Sequence, residues 1–218
     1  MKILQKLSQL FLKDKIYHYS NEYYDSPIDK YSSIETYINL AYNNGKQVLS
    51  TTEEISFTDN PNFKKNKKKY LRKKYGKPYF KVVNNFQFGK ITVLFYRIVL
   101  GFYKARLELH FYQNSLIMYN YTFLYLNNEN ENKQEKNHIL EILKEKYKLH
   151  NDIVPNECYI KDRKNTIIVF NNNVNLSLNY VGYVDSDIHN QMKSLIDRDD
   201  NLKKTKTEKS NQELLKKL

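Results

Sequence analysis

Glu108 and His110 stand two residues apart in a stretch that reads as a strand, which turns both side chains to the same face. A carboxylate beside an imidazole can share a proton or supply two metal ligands. A metal site needs three or four ligands, and neither an HExxH pattern nor paired cysteines joins these two. No metal and no cofactor is expected. His138, His150, Asp152 and His189 are scattered along the rest of the chain, and Cys158 sits alone among apolar neighbours, where a thiol is usually inert packing. There is no serine elbow. Five glycines in the whole chain leave no phosphate-cradling loop of the P-loop or dinucleotide kind.

Arginine is scarce, which makes Arg97 and Arg106 informative. Gly101-Phe102 places glycine at the first central position of a two-residue type II′ hairpin. Leu100 then faces Tyr103, and Arg97 falls directly opposite Arg106. Like charges on one rung destabilise a strand pair by roughly 0.2 to 1 kcal/mol, so a compensating group is expected. Glu108 can supply it, diagonally to Arg97 or along the strand to Arg106. The competing expectation is a shallow anion site where Arg97 and Arg106 converge, on a polar sheet face that adds Lys104, Glu108, His110 and Tyr112 and, from the next strand, Tyr119 or Tyr121.

The strongest electrostatic feature is a run from Lys64 to Lys77 that carries nine cations and no acid. The formal net charge is +12, so this run supplies most of it and the rest of the chain is close to neutral. A local field of this kind attracts phosphate, an anionic membrane or an acidic protein. The abundance of Lys over Arg argues against sequence-specific base reading, which relies on the arginine fork. The candidate partner-binding residues are Lys65, Lys68, Lys69, Arg72 and Lys73, together with Arg97, Arg106, Glu108 and His110 on the sheet. An acidic protein surface is the first expectation for the partner. Non-specific nucleic-acid binding through the same basic helix is the alternative, and an enzyme centred on Glu108 and His110 is the second alternative. The absence of catalytic signatures leans toward a protein that is not an enzyme.

The elements that must position these residues follow from periodicity. The basic run predicts a helix over 62–75, with Asn60 as cap, Pro61 at the first helical position, Gly76 after the last turn and Pro78 preventing continuation. Phe63, Tyr70, Leu71 and Tyr75 make its apolar side. A helix with a capping box at Ser32 and Glu35 buries Ile34, Tyr37, Ile38 and Ala41 and stops at Asn44-Gly45. Ile3, Leu4, Leu7, Leu10 and Phe11 mark an amphipathic N-terminal helix, so that peripheral membrane contact through residues 2–13 is a weaker possibility. Three long strands are expected at Ile91 to Leu100, Tyr103 to Gln113 and Leu116 to Leu126, from alternation rich in β-branched and aromatic residues. A polar Asn/Glu-rich segment and a helix through Ile139, Ile142, Leu143 and Tyr147 follow. Shorter strands are expected at Cys158 to Ile160, Thr166 to Phe170 and Val174 to Val181, the last with Asn175, Ser177 and Asn179 outward. A helix capped by Ser186 closes the fold through Ile188, Met192, Leu195 and Ile196.

These elements imply an α+β fold: an antiparallel sheet of about six strands with amphipathic helices on one face. It would form one domain over 1–198, with possible helix-plus-meander modules at 1–130 and 131–198, and a mobile charged tail at 199–218. With 20 Tyr and 11 Phe the chain can bury a large core. No apolar run approaches the roughly 18 residues of a membrane-spanning helix, and the start reads as mature protein. The single cysteine fits a reducing compartment, so the cytoplasm is the expected location.

Overall fold

The structure is a computed structural model that describes residues 30–43, 45–57, 65–123, 129–172, 175–184, 186–198 and 207, with only the backbone of 129–132. The expected N-terminal helix, the caps at Asn60 and Pro61 and the charged tail lie outside the described residues.

The fold is α+β and is built on one eight-stranded sheet. In chain order the strands are β1 (Gln47–Ser50), β2 (Phe80–Phe86), β3 (Gly89–Leu100), β4 (Tyr103–Tyr112), β5 (Ser115–Phe123), β6 (Cys158–Lys161), β7 (Ile167–Asn172) and β8 (Leu176–Val181). Their order in space is β1-β6-β7-β8-β5-β4-β3-β2. Every neighbouring pair is antiparallel except β1 and β6, which are parallel. Thus β2 to β5 form one meander, β6 to β8 form a second, and the two join where β5 pairs with β8. Among the described residues the main helices are α1 (Ile34–Ala41), α2 (Lys68–Tyr75), α3 (Glu129–Lys146) and α4 over 187–198, and residues 30–32 are also helical.

Helices cover both faces of the sheet, where the sequence suggests one. The reason lies in the strands, which present apolar side chains in both directions. Leu94 and Tyr96 of β3 point into a core closed by Leu71 of α2 and by Ile139, Leu140, Leu143 and Tyr147 of α3. Val93 and Phe95 point the other way, into a core closed by Tyr37, Ile38 and Leu40 of α1 and Ile188 and Met192 of α4. Asn179 is accordingly buried beneath a helical layer and does not face solvent.

The hairpin between β3 and β4 has the expected register. Gly101 takes the positive φ of 60° that the first central residue of a type II′ turn requires, and Leu100 pairs with Tyr103. Arg97 therefore lies opposite Arg106.

The next hairpin departs from simple pairing. Gln113 and Asn114 make a two-residue turn with both φ positive, and Tyr112 faces Ser115. A shift between His110 and Phe111 then leaves His110 opposite Met118 and Phe111 opposite Leu116. Ile117 is the extra residue, a β-bulge, and its carbonyl accepts from the Gly182 N–H at 2.9 Å. From the bulge onward every side chain of β5 changes face.

Candidate functional site

Two polar constellations emerge, on opposite faces of the sheet. The first is cationic. Helix α2 begins at Lys68, later than the sequence suggests, because Lys67 forms a bridge with Ser115. The Lys68 N–H donates to the Asn114 carbonyl at 2.9 Å, the Leu116 N–H donates to the Asn66 carbonyl at 3.0 Å, and Lys67 Nζ donates to Ser115 Oγ at 2.8 Å. The β4–β5 turn thus supplies the N-terminal partner that no side-chain cap provides. At the other end Gly76, with φ 78°, donates its N–H to the Arg72 carbonyl. Leu71 is fully buried and Tyr75 packs its ring 5.5 Å from that of Tyr96.

The solvent side of α2 borders an open groove of about 750 Å³ lined by Lys67, Lys68, Lys69, Arg72, Lys73, Lys77, Gly76 and Asn114. Among the described residues, no Asp or Glu forms an ion pair with these cations. Lys68 is held below the ordinary lysine range by partial burial and then by the like charges of Lys81, Lys90 and Arg72. The positive field consequently reaches from α2 onto β2 and the start of β3. Lys65 is exposed just ahead of the helix and does not line the groove.

The second constellation is buried. From β4, Arg106, Glu108 and His110 project toward α1, with Glu108 only 1% and His110 0% exposed. Glu108 accepts from the Tyr31 hydroxyl at 2.7 Å and pairs with Arg106 Nε at 2.7 Å. His110 Nε2 stands 3.7 Å from the same carboxylate, and its Nδ1 lies 3.0 Å from the Tyr37 hydroxyl. Glu108 therefore answers the charge of Arg106 along the strand. Arg97 lies over the ring of Tyr79, 5.3 Å from its centroid.

The polar set continues across the sheet. Glu108 faces Asn120, which faces Asn179, while Arg106 faces Thr122, which faces Ser177. Asn120 Nδ2 donates to Asn179 Oδ1 at 2.7 Å, Thr122 Oγ1 donates to Asn120 Oδ1 at 2.8 Å, and Asn179 Nδ2 donates to the Val169 carbonyl at 3.2 Å. Tyr119 and Tyr121, expected beside Glu108, belong to the opposite face, where the ring of Tyr119 stacks 4.2 Å from that of Tyr180. The bulge at Ile117 is the cause of the exchange.

Burial alone would raise the Glu108 carboxyl. Arg106, the adjacent His110 and Lys30 outweigh it and hold the group at about 2, against an ordinary 4.5. Burial lowers His110 below its ordinary 6.5 despite the neighbouring carboxylate. A neutral imidazole beside an ionised carboxylate carries its proton on Nε2 and leaves Nδ1 to accept from Tyr37. Both groups bind protons more weakly folded than unfolded, so stability is complete above about pH 6.5 and declines on acidification, first through His110 and then, below 4.5, through Glu108. The urea midpoint measured between pH 7 and pH 3 is expected to fall throughout, and His110→Gln to flatten the upper part of that fall. A midpoint that rises on acidification would contradict the assignment.

The sequence-level candidates thus separate. Lys68, Lys69, Arg72 and Lys73 gather at the groove, while Arg97, Arg106, Glu108 and His110 lie across the sheet from it and form no common surface with it. Lys67, Lys77, Asn114, Lys81 and Lys90 join the cationic site, and Tyr31 and Tyr37 join the buried one. The first two belong to the same basic run, but Asn114, Lys81 and Lys90 carry no local signal because only strand pairing brings them near. Cys158 is buried and its thiol donates to the Val154 carbonyl at 3.2 Å, with burial raising its pKa. Among the described residues no cluster of His, Cys, Asp and Glu could hold a metal ion, and no helix is long and apolar enough to cross a membrane. Comparison of the chain with protein families, with curated proteins and with solved structures finds no match.

Proposed function

We propose that the protein is a non-catalytic binding protein that engages an acidic partner through α2 and the groove beside it. The observation that carries this reading is the gathering of six cations around one open groove whose lining includes no carboxylate. Concentrated like charge is unfavourable in the free protein, and an acidic ligand relieves it while gaining a steered approach. The polar face of the sheet serves this function indirectly, by seating α1. Glu108 and His110 are covered by Tyr31 and Tyr37, so an enzyme centred on them would have no approach for its substrate in this arrangement.

Retention on immobilised heparin tests the reading. The wild-type chain is expected to be held at low salt and released as salt rises. The triple variant Lys69→Gln, Arg72→Gln, Lys73→Gln changes only exposed positions, so its circular dichroism and melting should match the wild type. It is expected to elute at clearly lower salt. Co-elution of the folded variant with the wild type, or no retention of either, would sink the reading.

A further inference from the structure

Resting on that reading, we infer that the acidic partner is a nucleic-acid duplex, held by its phosphate backbone without reading of base sequence. Three features of the groove and its surroundings carry the inference.

The lining is the first. It consists of six cations, a glycine and an asparagine, with no apolar or aromatic side chain among them. Stable protein interfaces are organised around an apolar core with aromatic anchors and are depleted in lysine. This groove offers an acidic protein attraction but no anchor. Lysines, as hydrated point charges on flexible stems, suit phosphates, where affinity comes from releasing the counterions condensed on the polymer.

The second feature is extent. Helix α2 has eight residues and is therefore about 12 Å long. A duplex carries one charge per about 1.7 Å of axis with both strands counted, so about seven phosphates, those on the far side included, fall within that length. The cations are spread to match a polymer rather than converged on a single group. Lys68 and Arg72, and likewise Lys69 and Lys73, stand one helical turn apart on α2, and Lys77 lines the groove beyond the end of the helix. Lys81 and Lys90 widen the field onto the neighbouring hairpin.

The third feature is what the groove lacks for the other modes of nucleic-acid recognition. Only one of its cations is an arginine, the residue whose fork reads guanine. Single-strand binding draws on aromatic side chains that stack splayed bases. Tyr70 of α2 and Tyr79 are exposed but do not line the groove, while Tyr119 and Tyr180 are stacked on each other inside the core, and helices cover both faces of the sheet. The groove itself thus offers a single strand no stacking surface, and a duplex meets it with the higher charge density.

The test is fluorescence anisotropy with the full chain against four probes: two 20-base-pair DNA duplexes of unrelated sequence, one of their single strands, and polyglutamate of matched charge. Both duplexes should bind equally within threefold, more tightly than the single strand and at least tenfold more tightly than polyglutamate. With about six phosphates engaged, affinity should fall about a thousandfold between 50 and 200 mM salt. The Lys69→Gln, Lys73→Gln double variant should lower the salt slope by about two, whereas Lys133→Gln, Arg163→Gln, an equal change in net charge at exposed positions elsewhere, should leave it unchanged. Binding of polyglutamate but not duplex would overturn the inference and leave the acidic-partner reading standing. Binding of neither would remove both. Tighter binding of the single strand, a tenfold difference between the duplexes, or equal loss in the control variant would each overturn the inference.

Discussion

Glu108→Ala is expected to cost about 3 to 5 kcal/mol of stability, the range for stripping one partner from a buried ionic group. The carboxylate is the common acceptor of Tyr31 and Arg106 and faces His110 Nε2, all within a layer closed by α1. Its removal takes one carboxylate from a largely buried guanidinium, whose side chain is only 15% exposed, and takes the acceptor from the fully buried Tyr31 hydroxyl. For a chain of this size that cost corresponds to a drop of roughly 6 to 20 °C in melting temperature. Glu108→Gln keeps an acceptor for Tyr31 and should lose less. The combined variant Glu108→Met, Arg106→Leu removes donor and acceptor charge together and should recover much of the loss, since an apolar substitute for a buried pair is often neutral or better. Thermal and urea melts of the three variants measure this order. A Glu108→Ala protein that melts within 2 °C of the wild type would show that Glu108 does not carry the layer.

The second large effect is expected at Leu71. It is the one fully buried residue of a helix whose remaining side chains are mostly exposed. Eight residues make a marginal helix in isolation, so α2 depends on Leu71, Tyr75 and the two backbone hydrogen bonds to the β4–β5 turn. Leu71→Ala should cost about 2 to 5 kcal/mol through lost burial and the cavity left behind. The same change should weaken polyanion binding by loosening the platform that spaces the lysines. The Lys69→Gln, Lys73→Gln variant should weaken binding with stability intact. Denaturation and anisotropy on both proteins separate packing from charge. A Leu71→Ala chain as stable as the wild type would mean that α2 is held by its turn alone.

The hairpin of β3 and β4 was legible from local chemistry, because alternation and a glycine at the turn together set its register. The cationic helix was legible for the same reason, since its lysines and its stop signals are contiguous. What was hidden is non-local. Strand β1 is four residues long with one buried side chain, Leu49, too short for a period to show. Strand β2 carries Asn84 and Asn85 just before its last residue, Phe86, and two adjacent asparagines read as a turn. The bulge was hidden by composition: Leu116, Ile117 and Met118 are all apolar and satisfy either phase, so nothing marks the slip that turns Asn120 and Thr122, not Tyr119 and Tyr121, toward Glu108. Burial of both sheet faces was masked by the polar residues of β8, whose Asn179 reads as solvent-facing when its hydrogen bonds are unknown.

The parallel pair at the far edge sets an order of assembly. Strands β2 to β5 follow one another through tight connections, as β6 to β8 do through short ones, and such local pairings close at small entropic cost. Pairing Gln47 with Cys158 closes a loop of about 110 residues, and it does so for four rungs only. Strand β1 has no template until β6 is in place, so the chain that is synthesised early waits for the chain that is synthesised late. Because β1 begins only a few residues after α1 ends, the segment that covers Glu108 is tethered to an edge strand held by β6 alone.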